Sequence, residues 1–515
     1  MLRFSCNSFL AILLLLPILN GTSAVAQSAE WRFSLESSPQ IHQQPFTGRV
    51  YVFFKSGAIR DGKEPRMGPD WFQPQPIIAK DVVDWTPGTR VELTLQSPDV
   101  LKFPEDLTDQ QLRGMIAQAV VRAAPHEREV GTGAGNWYSQ ALWLPSPGEV
   151  VFRVDRIVPE PHFQETSWTK LLRIRSDRVS QFHGRDAWLQ AAVTLPASYY
   201  TQPEKRYPVI LEIPGFGGSH LHGIHNRPVP ERNGLGVEFI RVMLDPNCEL
   251  GHHVFANSAN NGPWMDALIE EFLPALDERF RTDARPEARF LTGHSSGGWS
   301  SLWLMVQNPD LFAGTWSTAP DSVTFRDFQL INLYREGENM FVNERGERRP
   351  IVRIRRQPVV YYDTFSRMEE VLGHGGQLHS FEAVFSPRGA DGRPMQLWNR
   401  STGEIDPQVA HSWKPYDIVH YLEENWDSLA PRLAGKIHVY IGADDSFYLE
   451  GATILMQESL RKLGSDAHVE ILPGRDHMNL FAGGLDQRIE WEMAQKYRST
   501  MRPNLQNVPE STIVK

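Results

Sequence analysis

Arg289-Phe290-Leu291-Thr292-Gly293-His294-Ser295-Ser296-Gly297-Gly298 is the stretch on which the reading of this chain turns. An apolar run with strand character feeds a G-x-S-x-G turn, and a helical pattern, Trp299–Gln307, follows it. A serine on so tight a strand-to-helix turn has strained backbone angles, and glycine two residues to either side removes the Cβ atoms that would clash. The helix that starts there aims free N–H groups and its positive dipole end at the reacting centre. The pattern predicts Ser295 as a nucleophile. Ser296 is off register by one and serves better through its backbone N–H, as an oxyanion donor.

A serine hydroxyl needs a base, and the base needs an acid to orient it. On this kind of turn the chain order is Ser, then Asp or Glu, then His. Two later loops fit, each after an apolar strand pattern: Ala443-Asp444-Asp445-Ser446-Phe447, and Pro473-Gly474-Arg475-Asp476-His477. Both leave the carboxyl ends of strands, where open α/β sheets bind ligands. His477 is the expected base and Asp445 the expected acid. Asp444 is the next choice, and Asp476 is disfavoured as the direct neighbour of His477. The second oxyanion donor is expected in Pro214-Gly215-Phe216-Gly217-Gly218, with the Phe216 N–H favoured over that of Gly217. Gly217, His294, Trp299, Ser258 and Asn261 are further candidates for touching substrate, the last two from the His-, Ser- and Asn-rich loop Gly251–Gly262.

Around this centre the chain from about 184 alternates strands with helices, which favours a mostly parallel sheet covered on both faces. The expected strands are Trp188–Leu195, Tyr207–Ile213, Phe239–Leu244, Ala288–Gly293, Ala313–Ser317, Lys436–Gly442 and Ala467–Leu472. Residues 323–432 interrupt the alternation. With turn signals at Asn343–Gly346 and many aromatics, they read as a cap over the sheet's carboxyl edge. Residues 27–183 are rich in β-branched runs and Pro-Gly turns and read as a β-sandwich with one short helix at Thr108–Val121. They are too few for a β-propeller, whose repeats of about 40–50 residues need at least four blades.

The first 26 residues read as a secretory signal peptide: Arg3, an apolar run Phe9–Leu19 too short to span a bilayer, then Ala24-Val25-Ala26 as the cleavage site. The chain is therefore expected to be exported, periplasmic or extracellular, with no membrane span once cleaved. Its 515 residues, 41% hydrophobic and 22% charged, exclude disordered, collagen-like and disulfide-framework proteins. A net charge of −10 and pI near 6.0 leave no cationic excess for nucleic acid or an anionic membrane. After cleavage only Cys248 remains, so no internal disulfide forms, and no base follows it in register.

Taken together, Tyr207-Pro208-Val209-Ile210, Pro214–Gly218, Glu271-Phe272-Leu273-Pro274, Gly293–Gly298, Gly442–Phe447 and Asp476-His477 resemble the putative-esterase family of α/β-hydrolases. That family includes S-formylglutathione hydrolases (esterase D), feruloyl esterases and enterochelin esterases, and the last also resemble this chain in carrying a β domain before the hydrolase. The resemblance covers about residues 184–505, less the insertion. It implies an α/β-hydrolase fold and an exported serine esterase on a small-molecule or glycan ester, with Asp445 as acid and no cofactor. Activity is expected to fall below about pH 6 as the base is protonated. The alternatives are an acyltransferase on the same triad, or a non-catalytic binding protein using the β domain. His220, His222 and His225 could suggest zinc, but no carboxylate pattern completes a metal site, so no metal is expected and the loop is read as the pocket mouth. The arginine run 345–356 is read as a solvated strand face rather than an anion site.

Overall fold

The computed structural model describes residues 30–60 and 62–501. Its centre is an eight-stranded sheet: β1 (Thr169–Arg175), β2 (Trp188–Thr194), β3 (Val209–Ile213), β4 (Ile240–Leu244), β5 (Arg289–His294), β6 (Gly314–Thr318), β7 (Ile437–Gly442) and β8 (His468–Leu472). They lie in the order β1-β2-β4-β3-β5-β6-β7-β8. β1 and β2 are antiparallel to their neighbours, and every other pairing is parallel. The strands read as near-continuous apolar runs because both faces are covered. Ile210, Phe290, Trp316 and Tyr440 pack with Ile489 and Met493 of α6 (Leu485–Met501), while Leu211, Ile213 and Leu291 pack with Leu302 and Val306 of α1 (Ser296–Gln307). This period-two division fixes the register, because a slip of one residue would exchange the two faces.

Two boundaries differ from expectation. Thr169–Arg175 pairs with Trp188–Thr194 and so belongs to this sheet, which moves the end of the N-terminal domain from 183 to the segment 158–168. The insertion's last helix, α4 (Ile418–Leu433), packs on α1 as an ordinary crossover helix, with Tyr421 against Trp303. The cap therefore ends before 418 rather than at 432.

The N-terminal domain is one nine-stranded sheet, a continuous path of eight strands with a ninth paired to its side, not two separate sheets. Phe33 and Phe54 sit on strands with three others between them along the path, yet their rings are 5.4 Å apart. At about 4.8 Å per strand a flat sheet would hold them far apart. The sheet therefore curls over its own core, and the expected sandwich is one folded sheet. The expected helix at Thr108–Val121 is a single turn, Asp109–Leu112, followed by the strand Ile116–Val121. Gly114, at φ +79°, breaks the helix, and the alternating run after it fits the sheet.

In the insertion, a bridge at Val342 and Arg348 closes the Asn343–Gly346 turn. A hairpin, Pro350–Ile354 with Gln357–Tyr361, then leads into α2 (Tyr362–Leu372) and α3 (Gln377–Phe385). Phe325, Phe328, Phe385 and Trp413 form its aromatic core. The N-terminal sheet docks on the end of α2. Arg49 donates to the carbonyls of Glu370 and Val371, the Tyr51 hydroxyl to that of Leu372 at 2.7 Å, and Arg122 to that of His374. These donors satisfy the orphan carbonyls of a helix end, and the two guanidinium charges meet the negative end of its dipole. The leader region 1–26 and Cys6 lie outside the described residues. No helix among those described is long and apolar enough to cross a membrane.

Candidate active site

Ser295 stands between β5 and α1 at φ +59° and ψ −125°, a region that costs an L-residue energy. A Cβ on Gly293 would lie 2.1 Å from the Gly297 carbonyl oxygen, and one on Gly297 would lie 1.9 Å from that of Ile213. A Cβ on Gly298 would come within 2.7 Å of the Thr318 oxygen, so the third glycine lets α1 pack against the turn after β6. The glycine spacing is thus a set of backbone contacts that only hydrogen can occupy.

The loops after β7 and β8 bring Asp445 and His477 together. The Nδ1–H of His477 donates to Asp445 Oδ2 at 2.8 Å, with both side chains buried. Asp445 Oδ1 accepts the Phe447 N–H, which fixes the carboxylate plane. Asp444 faces away in a bidentate pair with Arg356, and Asp476 accepts the N–H groups of Met478 and Asn479. Burial alone would lower the pKa of His477, but the charge and hydrogen bond of Asp445 outweigh it, Asp321 and Asp476 add to them, and the net shift is upward. His294, its ring 4.5 Å from that of His477, is pushed down to about 3 by burial and by that neighbour's charge. It is therefore neutral at working pH.

Ser295, Phe216, Gly215, Gly218, His222, His294 and His477 line one cavity of about 620 Å³. Gly217, at φ +83°, lies between two lining residues and turns the loop. Neither the Phe216 nor the Ser296 N–H has a hydrogen-bond partner among the described residues; Ser296 follows Ser295 directly, and Phe216 lines the same cavity as Ser295. Most of the remaining wall is aromatic and apolar, with Trp71, Phe72, Phe365, Phe381, Phe447 and Phe481, and Asp321, Gln329 and Gln377 add polar groups to it.

Three expected substrate contacts lie elsewhere. Trp299 is fully buried, stacked on Trp303 at 5.3 Å, because α1 turns its side chain into the core. The Ser258 hydroxyl donates to the Ala383 carbonyl, and Asn261 holds Trp264 through its own carbonyl. Both residues seat α3 and its surroundings instead of lining the cavity. The arginine run is likewise structural: Arg349 pairs with Glu338, Arg348 with Asp363, and Arg353 donates to the Asp445 carbonyl at 2.7 Å and to Glu450. The insertion's hairpin so braces the loop that carries the acid. The Nδ1–H of His220 donates to Asp245 Oδ2 at 2.7 Å, and among the described residues no group of three or more His, Cys, Asp or Glu is placed to hold a metal ion. Cys248 is pushed up to about 12 by burial, which keeps its sulfur a thiol.

Sequence reasoning passed over Asp321, which lies three residues past the end of β6. The Ser295 hydroxyl donates to its Oδ1 at 3.3 Å, and among the described residues no hydrogen bond joins Ser295 to His477. The carboxyl-edge rule that found Asp445 points to this position as well. Trp71 and Phe72 gave no local signal, for they come from the N-terminal domain.

Residues 185–492 match the family described as "Putative esterase". Among solved structures the chain is similar to a ferulic acid esterase, at 14% identity over 64% of this chain and 99% of that one, TM-score 0.39. It is similar also to an S-formylglutathione hydrolase from Agrobacterium tumefaciens, at 15% identity over 65% and 98%, TM-score 0.38. A third is FphF, a fluorophosphonate-binding serine hydrolase of Staphylococcus aureus, at 13% identity over 64% and 99%, TM-score 0.36.

Proposed function

The chain belongs to the putative-esterase family, and from that premise we propose that it is an exported serine esterase working through an acyl-enzyme on Ser295, His477 and Asp445. The observation that carries the reading is that the strained Ser295, the Phe216 loop and His477, itself held from behind by the buried Asp445, line one cavity, with the Phe216 and Ser296 N–H groups left unbonded by the protein. In this reading the Ser295 side chain turns about χ1 from Asp321 to His477. Its Oγ attacks the ester carbonyl carbon while its proton passes to His477 Nε2. The carbonyl oxygen, now negative, lies between the two N–H groups. Asp445 keeps the Nδ1 proton in place and stabilises the imidazolium. The alcohol departs with the proton from His477. Water, deprotonated by the same imidazole, then releases the acid and restores Ser295.

The aromatic walls suit an ester with a bulky apolar or aromatic arm, in keeping with the ferulic acid esterase among the similar structures. Export rests on the leader pattern of residues 1–26. The test is labelling by a fluorophosphonate probe, with Ser295→Ala as control, followed by turnover of a panel of aryl and carbohydrate esters. Labelling that survives Ser295→Ala removes the nucleophile assignment. Labelling without turnover of any ester removes the esterase reading.

A further inference from the structure

Asp321 is a buried carboxyl that the mechanism above does not use. It stands at the carboxyl end of β6, where its own N–H donates to the Ser295 carbonyl at 3.2 Å. The turn before it is tight: Ala319 has φ +38°, and Gly298 leaves room for the Thr318 oxygen and Pro320. Both carboxyl oxygens are engaged. Oδ1 accepts from the Ser295 hydroxyl at 3.3 Å. Oδ2 accepts from the Ser296 hydroxyl at 2.5 Å and from the Gln377 amide of the insertion at 3.4 Å. Its exposure is 6%, its oxygens bond to no lysine or arginine among the described residues, and the charges of His477 and Asp445 act on it. An acid buried without a cation is expensive to keep, and here it touches the reacting atom itself.

We propose that Asp321 is a positioning residue for the nucleophile: it holds the Ser295 hydroxyl in the free enzyme and keeps a second negative charge beside His477, so that it sets the pH at which the base becomes free. The inference rests on Ser295 and His477 acting as nucleophile and base. The groups facing His477 are Asp445 on the β7 loop, Asp321 after β6, His294 on β5 and Asp476 on its own loop. His294 is neutral in the working range, so three carboxyl groups supply the field. Asp445 is the direct partner, and Asp476 is engaged with its own loop, which leaves Asp321 as the charge that can be changed without breaking the His477 hydrogen bond. Burial pushes the Asp321 carboxyl up to about 6, still below the raised His477, so its charge is present when the imidazole takes up its proton. The Ser296 hydroxyl is the strongest influence holding it down.

The experiment is the pH dependence of the rate at which a fluorophosphonate probe labels Ser295, run with that of kcat/KM on an aryl ester, for the wild-type chain, Asp321→Asn and Ser296→Ala. Asn keeps the shape and removes the charge. The acid limb of Asp321→Asn is expected to move down by about one unit, the size of a single charge a few ångströms away in a partly buried site. Ser296→Ala keeps the backbone N–H but frees Asp321 to hold its proton, and its limb should move the same way by less. It also carries the test should Asp321→Asn fail to fold. A folded variant that labels with an unmoved limb overturns the proposal, since a merely structural role changes amplitude and leaves the limb in place. Wild-type chain that does not label at Ser295 overturns instead the serine-hydrolase reading beneath it.

Discussion

At Ser295 the backbone is forced to positive φ by contacts in which glycine hydrogens meet carbonyl oxygens, and that constraint gives the first prediction. Gly297→Ala would put a methyl group 1.9 Å from the Ile213 oxygen, with backbone on both sides and no flexible chain to yield. It should lower stability by about 3 kcal/mol, read as a shifted urea midpoint, with loss of fluorophosphonate labelling. An unchanged midpoint would mean that the elbow is looser than described. The second prediction concerns pH. The folded-state pKa of His477 lies above the ordinary imidazole value of 6.5, chiefly because Asp445 overcomes the effect of burial. The base therefore holds its proton to higher pH than a free histidine does. With His477 as the proposed base, the acid-side loss of kcat/KM is expected to be centred above 6.5, where the residue type alone suggests a fall below about pH 6. Asp445→Asn removes the main raising influence, so what activity remains should have its limb at lower pH, with kcat reduced by about 10⁴-fold. A limb that stays in place in that variant would point to another base. That Ser295, His477 and Asp445 would be brought to one edge of the sheet was legible in sequence, because each follows a strand. Asp321 was not, because an acid next to the nucleophile leaves no motif once the acid after β7 has been taken.

Among the elements, α2 is held by the N-terminal domain. Its last carbonyls accept from Arg49, Tyr51 and Arg122 of the N-terminal sheet, and its buried face presents Phe365 to the cavity. Tyr51→Phe removes the donor to Leu372 while leaving the ring, so the carbonyl is stranded in a closed interface. The expected cost is about 1–2 kcal/mol, measured by chemical denaturation, with a rise in KM because α2 carries pocket wall. A variant with both quantities unchanged would show that the dock does not bear on the site. The same element scale shows why the fold was only partly legible. β3, β5 and β7 announce themselves as apolar runs buried on two faces. β1 reads as one more alternating strand, and nothing local tells which of two sheets it joins. The helix expected over 108–121 failed for a related reason: its apolar residues fit either period, and Gly114 decided the matter.

At the scale of the whole molecule three units meet at one side chain. Trp71, from the N-terminal domain, lies with its ring 5.3 Å from Phe216 of the oxyanion loop, 5.5 Å from Phe365 of the insertion and 6.2 Å from Phe447 beside the acid. The three belong to separate segments of the chain, so no window of sequence could show that the β domain forms part of the pocket. Strand and turn patterning suggested the domains but not their meeting point. The N-terminal domain and the insertion thus supply cavity wall, while Ser295, Asp445 and His477 stay on the turns and loops of the central sheet. Trp71→Ala should therefore leave the chemistry and change the choice of ester. An aromatic neighbour of this kind is worth about 0.5–1.5 kcal/mol beyond its area. The kcat/KM for an aryl ester should fall by about tenfold relative to that for an acetyl ester, mainly through KM, with the labelling rate of Ser295 by a small fluorophosphonate nearly unchanged. Trp71→Phe should recover most of the loss. Equal losses on both esters would mean that Trp71 holds the Phe216 loop in place and takes no part in selecting substrate, and the labelling rate, which depends on the same oxyanion donors, would then fall with them.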